Sequence, residues 1–478
     1  MFINRRKELA LLGAVCKRPG AQFLALYGRR RIGKTTLLTH WIGNRKRDEA
    51  VYWVAYRSSP KILLASFSQA LQPLFGGNDP HFTFSSWEVA LRELARVAQD
   101  RRVVVVLDEW PYVLESVPGI ATVLQAMWDQ ALKQSQVMLI LAGSHYHMMH
   151  HELLAPSGAL YGRTTADIRL DAIEPSCLAE FLPKNSDAQR IEAYSVIGGV
   201  PKYLELWHDA WPVFRNIEEV ILSPVTIFRQ EPAFLIQEEL PEPRTYLSIL
   251  DAIGTGMKTP SGIAVISGVA LPHVGKYLQT LLFLGLVRRE VSLDVADPEH
   301  TRTTRYEIAD PYLRFYFTFL RPGNSLLEQN RLGPLMQTIR TGFAAYVGHT
   351  GYEEVCRRLL IELGDAGNLP FVPERIGRAW TRTAEFDVAA IDHKQRTVIL
   401  GECKWTTQKM GCETLENLVR KTALFKRLDG FKITYALFCK SGFEKRLLSA
   451  AATRGILLFD NLTPVSYTHL TLPTNREV

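Results

Sequence analysis

The chain has little that would tie it to a membrane or an oxidising compartment. Only six cysteines occur in 478 residues. They are scattered without paired spacing, which argues against a disulfide-framed fold and for reduced thiols and a cytoplasmic location. Long hydrophobic runs are also missing. Stretches such as VVVVL at 103–107 are strand-length, and none approaches a membrane span. The N-terminus, MFINRRKEL, has no apolar h-region and no small-residue cleavage site, so no secretory leader is read there. Nor does one sign of charge dominate. Lys and Arg number 56 against 49 Asp and Glu, a formal +7 that permits a nucleic-acid partner without requiring one. What is present is a globular composition, 47% hydrophobic and 22% charged, in a chain too long for one ordinary core. Two or three domains are expected.

The first chemical signal is FLALYGRRRIGKTTLL. An apolar strand at 23–27 runs into G-x-x-x-x-G-K-T, Gly28 to Thr35, and then into an amphipathic helix. Glycines let the backbone wrap phosphates, with N–H groups offered from Gly28 through Arg29, Arg30, Arg31, Ile32 and Gly33 to Thr36. The helix adds its positive end. Lys34 supplies a cation for the outer phosphates, and Thr35 a hydroxyl for Mg²⁺. A second metal element is expected at the end of a buried parallel strand, and RRVVVVLDEWPYVLE supplies it. Asp108 is the expected Mg²⁺ partner, directly or through water. Glu109 is the candidate to polarise an attacking water; the alternative is a cap on the loop before Pro111. A third strand, VMLILAGS at 137–144, ends in Ser144, a polar residue placed to sense a γ-phosphate. Beyond it, ALYGRTT offers Arg163, either a charge stabiliser for the transferring phosphoryl group or a surface arginine in a loop. The intervening GSHYHMMHHELL places His147 and His151 four apart, but lacks H-E-x-x-H and a third ligand, so no metal is assigned there.

FINRRKEL, YGRRRIGKTTLL, LDEWPYVLE, LAGS and LYGRTT together resemble the archaeal-type ATPase family, in the STAND-like branch of P-loop ATPases related to AAA+ proteins. The resemblance covers roughly residues 2–235 and implies ATP and Mg²⁺ as ligands. GGVPKYL at 198–204 resembles the G-x-P element of that branch, which implies that Pro201 contacts nucleotide from a helical lid. An ordinary helix-breaking turn is the alternative.

Residues 236–325 change character. TYLSILDAIG, TPSGIAVISG and LPHVGKYLQTLLFLGLV read as three helices, the second with Thr259 as cap and Pro260 at its first position. RREVSLDVADPEHTRTTRYEIAD follows as a charged hairpin, so a winged helix-turn-helix is expected. Its last helix offers His273, Lys276 and Gln279, and its wing Arg288, Arg289, Arg302 and Arg305, cations suited to phosphates more than bases. In STAND-like proteins such a module often packs as an intramolecular lever, so DNA reading is one of two alternatives. YEIADPYLRFYFTFL at 306–320 reads as an aromatic core helix.

Residues 335–463 carry the second chemical signal. TAEFDVAAID and RTVILGECKW read as successive strands. Side chains alternate faces with period two, so Glu402 and Lys404 project to one side and Cys403 and Trp405 to the other. If the strands pair as a hairpin, Asp387 reaches the side of Glu402. Two carboxylates would hold Mg²⁺ with waters remaining, and Lys404 would orient or deprotonate one water for attack on a phosphodiester. The alternative is a hairpin whose exposed face carries a Glu–Lys pair. The pattern resembles the PD-(D/E)xK restriction-endonuclease fold, and also the C-terminal domain of unknown function often fused to archaeal-type ATPases. That resemblance implies a helical glutamate, matched by Glu353 in GYEEV, as a further metal ligand. Phe386 stands where the nominal motif has proline. Lys421, Lys426 and Arg427 could track a phosphate backbone or form a solvated face.

The expected architecture is α/β. A P-loop NTPase parallel sheet with helical lid spans 1–235, a winged helix-turn-helix 236–325 and a restriction-endonuclease-like domain 335–463. VSYTHLTLPTNREV, 465–478, resembles adapter sequence read as coding and is read as a non-native tail, with the natural C-terminus beyond it unknown. The expected function is an ATP-hydrolysing ATPase coupled to a Mg²⁺-dependent DNA endonuclease-like domain. The alternative is a nucleotide-gated switch or DNA-binding protein without nuclease activity. DNA, a protein partner or a second copy are the expected partners, with no membrane.

Overall fold

The computed structural model describes residues 3–465, apart from residues 44, 47, 48, 78, 241 and 302 and the side chain of residue 238. The expected non-native tail therefore lies, from residue 466, outside the described residues, as does Arg302. The six cysteines are free thiols. Among the described residues, no helix is long and apolar enough to cross a membrane.

The chain divides into two compact units. The first comprises the described residues within Met1–Ile173, Val200–Lys202 and Gln237–Pro241. The second comprises those within Glu174–Gly199, Tyr203–Ile236 and Glu242–Val478. Most of the segment expected to serve as a lid thus packs with the second unit, and the division falls after 173 rather than at 235.

The first unit is built on five parallel strands, β1 (Gln22–Tyr27), β2 (Ala50–Val54), β3 (Val103–Asp108), β4 (Val137–Gly143) and β5 (Ala166–Arg169), in the order β2-β3-β4-β1-β5. Every residue of β1, β3 and β4 is buried, which is why these segments read as unbroken apolar runs. The helix Trp87–Val97 shows the other periodicity. Ser86 caps it by accepting from Val89 N, and Trp87, Ala90, Leu91, Leu94 and Ala95 line its buried face. Trp87 stacks on Phe67 with ring centroids 5.1 Å apart. Because β4 lies between β1 and β3, the carboxyl ends of these three strands are side by side. At the end of β1 the chain passes so close to Leu170 that a Cβ on Gly28 would stand 2.5 Å from its carbonyl oxygen, so only glycine fits.

The second unit contains three helices, Pro243–Gly254, Pro260–Ser267 and Leu271–Phe283, followed by an antiparallel hairpin of β6 (Val287–Val291) and β7 (Thr304–Ile308). Thr259 Oγ1 accepts from Gly262 N and Pro260 occupies the first turn, so the second helix starts where its capping residues place it. Residues 306–308 belong to β7. The aromatic helix expected from 306 starts instead at Pro311, capped by Asp310.

The helix Glu353–Asp365 then precedes a six-stranded sheet of β8 (Arg375–Trp380), β9 (Glu385–Asp392), β10 (Thr397–Lys404), β11 (Lys432–Cys439), β12 (Leu457–Asp460) and β13 (Thr463–Pro464), ordered as numbered across the sheet. Strands β8, β9 and β10 form an antiparallel meander; β11 pairs parallel to β10, and β12 parallel to β11. The crossovers carry the helices Cys412–Thr422 and Lys445–Arg454, as parallel neighbours require.

Candidate functional site

The loop 28–33 leaves β1 and enters the helix Lys34–Ile42. Its backbone is left-handed at Arg31 (φ 68°) and Gly33 (φ 92°), the alternation that builds N–H-lined concavities. Lys34 is buried, and its Nζ donates to the carbonyls of Gly28 at 2.8 Å and Arg29 at 3.2 Å. Burial pushes its pKa down, while Glu109, Asp108 and Glu239 favour the charged form. Arg5 braces the loop from outside, donating through Nη2 to the carbonyls of Ile32 at 3.0 Å and Asp171 at 2.7 Å. Ile32 itself is buried, whereas Thr35 and Thr36 are exposed on the first helical turn. Pro201 is also close: a Cβ on Gly33 would stand 3.8 Å from its Cγ.

Asp108, at the end of β3, is fully buried and held by three donors. Thr35 Oγ1 donates to its Oδ2 at 2.8 Å, the Tyr52 hydroxyl donates to the same oxygen, and Glu109 N donates to Oδ1 at 2.9 Å. Burial and the adjacent Asp108 charge push the Tyr52 hydroxyl pKa up, so it remains a donor. Glu109 adopts a left-handed backbone (φ 53°), uncommon for a residue with a side chain. Its Oε2 accepts from Ser144 Oγ at 2.8 Å. The structure therefore gathers Lys34, Thr35, Asp108, Glu109 and Ser144 at one edge of the sheet. Arg163 is engaged elsewhere: its Nε and Nη2 form a two-pronged pair with Asp129, the latter at 2.7 Å. Arg5, Tyr52 and Glu239 had no signal in the sequence, because each reaches this edge from a distant segment. A hard divalent cation fits the donor set of Thr35 hydroxyl and Asp108 carboxylate, since both are oxygen ligands already in contact.

In the second unit, β9 and β10 pair with Val388 opposite Gly401. The paired register ends there, and Asp387 and Glu402 are the next residue on each strand. Asp387 Oδ2 accepts from Cys403 N at 2.9 Å. Burial, then the charges of Glu353 and Glu402, raise the Asp387 pKa to about 7. Both oxygens of Glu402 are taken by ammonium groups, Oε1 by Lys404 Nζ at 2.7 Å and Oε2 by Lys421 Nζ at 2.8 Å. Lys421, read as tracking a phosphate backbone or forming a solvated face, is thus tied to Glu402. On the other face Cys403 is buried and Trp405 packs against Tyr352, with centroids 5.0 Å apart.

Glu353 is drawn off by cations. Its Oε2 accepts from Arg378 Nε at 3.0 Å and Nη2 at 2.8 Å, and its Oε1 is 3.0 Å from His349 Nδ1. Burial disfavours the Glu353 charge, but the His349 hydrogen bond and Arg378 hold its pKa below the usual range. Among the described residues no three or more His, Cys, Asp or Glu side chains are grouped to hold a metal ion. Asp387 and Glu402 are brought onto neighbouring strands, and Glu353 is not gathered with them into such a group.

The hairpin arginines also differ from expectation. Arg288 pairs with Glu354 at 2.8 Å and Glu307 at 3.1 Å, and Arg305 pairs with Glu385 at 2.7 Å. The charges of Arg288 and Arg305 are thus committed within the fold, whereas Arg289 donates to backbone carbonyls. His273, Lys276 and Gln279 are exposed on their helix.

Residues 2–206 match the model of an ATPase domain predominantly from Archaea, and residues 316–415 match that of archaea bacterial proteins of unknown function. An uncharacterized protein of Methanocaldococcus jannaschii, MJECL04, is 28% identical over 442 residues, 92% of this chain and 96% of that protein. An uncharacterized ATP-binding protein of the same organism, MJ0423, is 44% identical over 50 residues, 10% of this chain and 85% of that protein. Among solved structures, the Walker-type ATPase PABY2304 of Pyrococcus abyssi aligns at 18% identity and TM-score 0.48, covering 66% of this chain and 96% of that one. The chain is an ATPase, with residues 2–206 matching the predominantly archaeal ATPase-domain family and residues 316–415 matching a family of unknown function.

Proposed function

We propose that the ATPase acts together with a Mg²⁺-dependent endonuclease-like C-terminal domain whose substrate is DNA. The nucleotide's phosphates lie along the loop from Gly28 to Thr36. Lys34 exchanges its bonds to the Gly28 and Arg29 carbonyls for the outer phosphate oxygens. Mg²⁺, when bound, supplies neutralising charge at the β- and γ-phosphates, and Thr35 and Asp108 are the residues that would hold it. Glu109, oriented by Ser144, accepts the proton of the water that attacks the γ-phosphorus as the bond to ADP breaks. Pro201 borders the nucleotide at Gly33. Arg163 reaches the phosphoryl group only by leaving Asp129. Replacing Glu109 by glutamine keeps the contact to Ser144 but removes the proton acceptor. ATP hydrolysis by Glu109→Gln is expected to fall by about 100-fold or more, with nucleotide affinity in filter binding retained. Unchanged turnover would remove Glu109 from this role.

The reading of the C-terminal domain rests on one observation, the cross-strand placement of Asp387 and Glu402 with Lys404 on the same face. The order helix, three antiparallel strands, helix, parallel strand agrees with the PD-(D/E)xK arrangement. The metal would take its oxygens from Asp387 and Glu402, and the ammonium groups now on Glu402 stand where a cation is electrostatically favoured. Lys404, released, orients or deprotonates the attacking water, while Glu353 joins only by leaving Arg378. The expected result is scission of linear, circular or single-stranded DNA that requires Mg²⁺ and is absent in Asp387→Ala, with ATP hydrolysis unaltered. Equal scission by Asp387→Ala would sink the assignment. The saturation of Glu402 by two lysines supports a second reading, a nucleotide-gated DNA-binding domain without cleavage. That reading predicts Mg²⁺-independent gel shifts and intact DNA.

A further inference from the structure

Six arginines are among the residues that line a groove of about 570 Å³ in the second unit. Three elements converge on it. β6 contributes Arg288 and Arg289, the helix Glu353–Asp365 contributes Arg357 and Arg358, and β8 contributes Arg375 and Arg378. Two carboxylates, Glu290 and Glu354, line it with them and both are already committed, while Arg288 and Arg378 also pair with Glu307, and Arg378 with Glu353, neither of which lines the groove. Glu354 is shared by Arg288 at 2.8 Å and Arg314 at 3.1 Å, and Glu290 by Arg288 at 3.2 Å and Arg378 at 3.0 Å.

The remaining arginines are poorly matched. Arg357 is 8% exposed; its Nη1 reaches the Asp387 carbonyl at 2.9 Å and lies 3.5 Å from Glu353 Oε2, but its Nη2 has no hydrogen-bond partner. Burial, then the neighbouring Arg378 and Arg288, disfavour its charge. Arg358 stands half-exposed at the rim, 3.6 Å from a half-exposed Glu174, and the exposed Arg289 donates to the Pro298 and Thr301 carbonyls. A buried donor without an acceptor costs about 1–3 kcal/mol, and converging like charges add to that cost. Native folds retain such arrangements at functional sites, or where water or an ion completes them.

We propose that this groove is a binding site for a ligand carrying two or more adjacent phosphates. Arg289, Arg357 and Arg375, held by backbone carbonyls, and Arg358, 3.6 Å from its carboxylate, call for a multivalent anion, and guanidinium forks approaching from the hairpin, the helix and β8 match tetrahedral phosphate oxygens in pairs. The volume suits a nucleotide-sized ligand. Adjacent phosphates come either from a free polyphosphate or from a polynucleotide backbone. The site depends on neither metal binding nor strand scission at Asp387.

The test is calorimetric titration of the full chain carrying Lys34→Ala, which removes triphosphate binding at the loop 28–33, with inorganic tripolyphosphate as probe. One binding event per chain is expected. Adding Arg289→Ala and Arg358→Ala, both at the rim, is expected to weaken it by about tenfold for each guanidinium removed, with the melting temperature unchanged. If that pair of substitutions lowers the melting temperature, Arg289→Gln and Arg358→Gln replace it and the same weakening is expected. Displacement of the probe by a single-stranded oligonucleotide of about ten nucleotides identifies a polynucleotide as the source. Failure to displace identifies a free polyphosphate. Absence of tripolyphosphate binding, or binding indifferent to the rim substitutions, overturns the proposal.

Discussion

Replacing Lys34 by alanine is expected to remove ATP hydrolysis, by about three orders of magnitude. Lys34 is 5% exposed and lies against two carbonyls of the loop it follows. Its environment opposes the charge through burial and supports it through Glu109, Asp108 and Glu239. A cation so enclosed is little screened by water, so its attraction for developing phosphate charge is stronger than at a surface. Alanine leaves the Gly28 and Arg29 carbonyls without that donor, a smaller effect than the lost charge. Phosphate release measures the first consequence and thermal melting the second. Hydrolysis within a few-fold of the parent rate would show that the phosphates lie elsewhere.

Arg378→Ala is expected to cost about 3–5 kcal/mol of stability in the second unit. The Arg378 side chain is 1% exposed and holds Glu353 at 2.8 Å, Glu307 at 2.7 Å and Glu290 at 3.0 Å. Those carboxylates belong to a helix and to both strands of the β6–β7 hairpin, so one guanidinium neutralises charge contributed by three elements. Alanine would take one guanidinium from three shielded carboxylates; Glu290 and Glu307 keep Arg288 and Glu353 keeps His349, but the buried negative charge left in excess costs more than the pair returned when it formed. Arg378→Lys retains the charge but not the fork, and an intermediate loss is expected. Combining Arg378→Ala with Glu353→Gln should cost less than the sum of the single changes by about 1 kcal/mol or more. Denaturant unfolding reads all four proteins. A single-variant loss below about 1 kcal/mol would mean that water already reaches the cluster.

Both predictions turn on residues whose visibility in the sequence differs. Lys34 is legible because strand, glycine loop and helix are contiguous, and contiguous order is what periodicity and turn chemistry report. Asp108 is legible for the same reason, as the end of an unbroken apolar strand. Its contact with Tyr52 is not, because the two side chains are 56 residues apart and meet only when β2 pairs with β3. Arg378 offers no local signal at all. It sits in a short strand among residues that read as ordinary, and its importance comes from Glu290, Glu307 and Glu353 arriving from elsewhere in the chain. The hairpin arginines show the same limit from the other side. A sequence counts their charges, but cannot count the carboxylates that the fold brings to them.

By itself, then, the order of residues determined where most strands and helices lie, which loop can wrap phosphate, and that Glu402 and Lys404 share one face of a strand. These follow from short-range rules of backbone geometry and side-chain alternation. Only the tertiary structure decided which charges remain available. It gave Glu353 to Arg378, Glu402 to two lysines and Arg163 to Asp129, and it left Arg357 with an unpartnered donor beside a groove of like charge. The reason is that ion pairing depends on distance through space, and distances between segments far apart in the chain are set by packing.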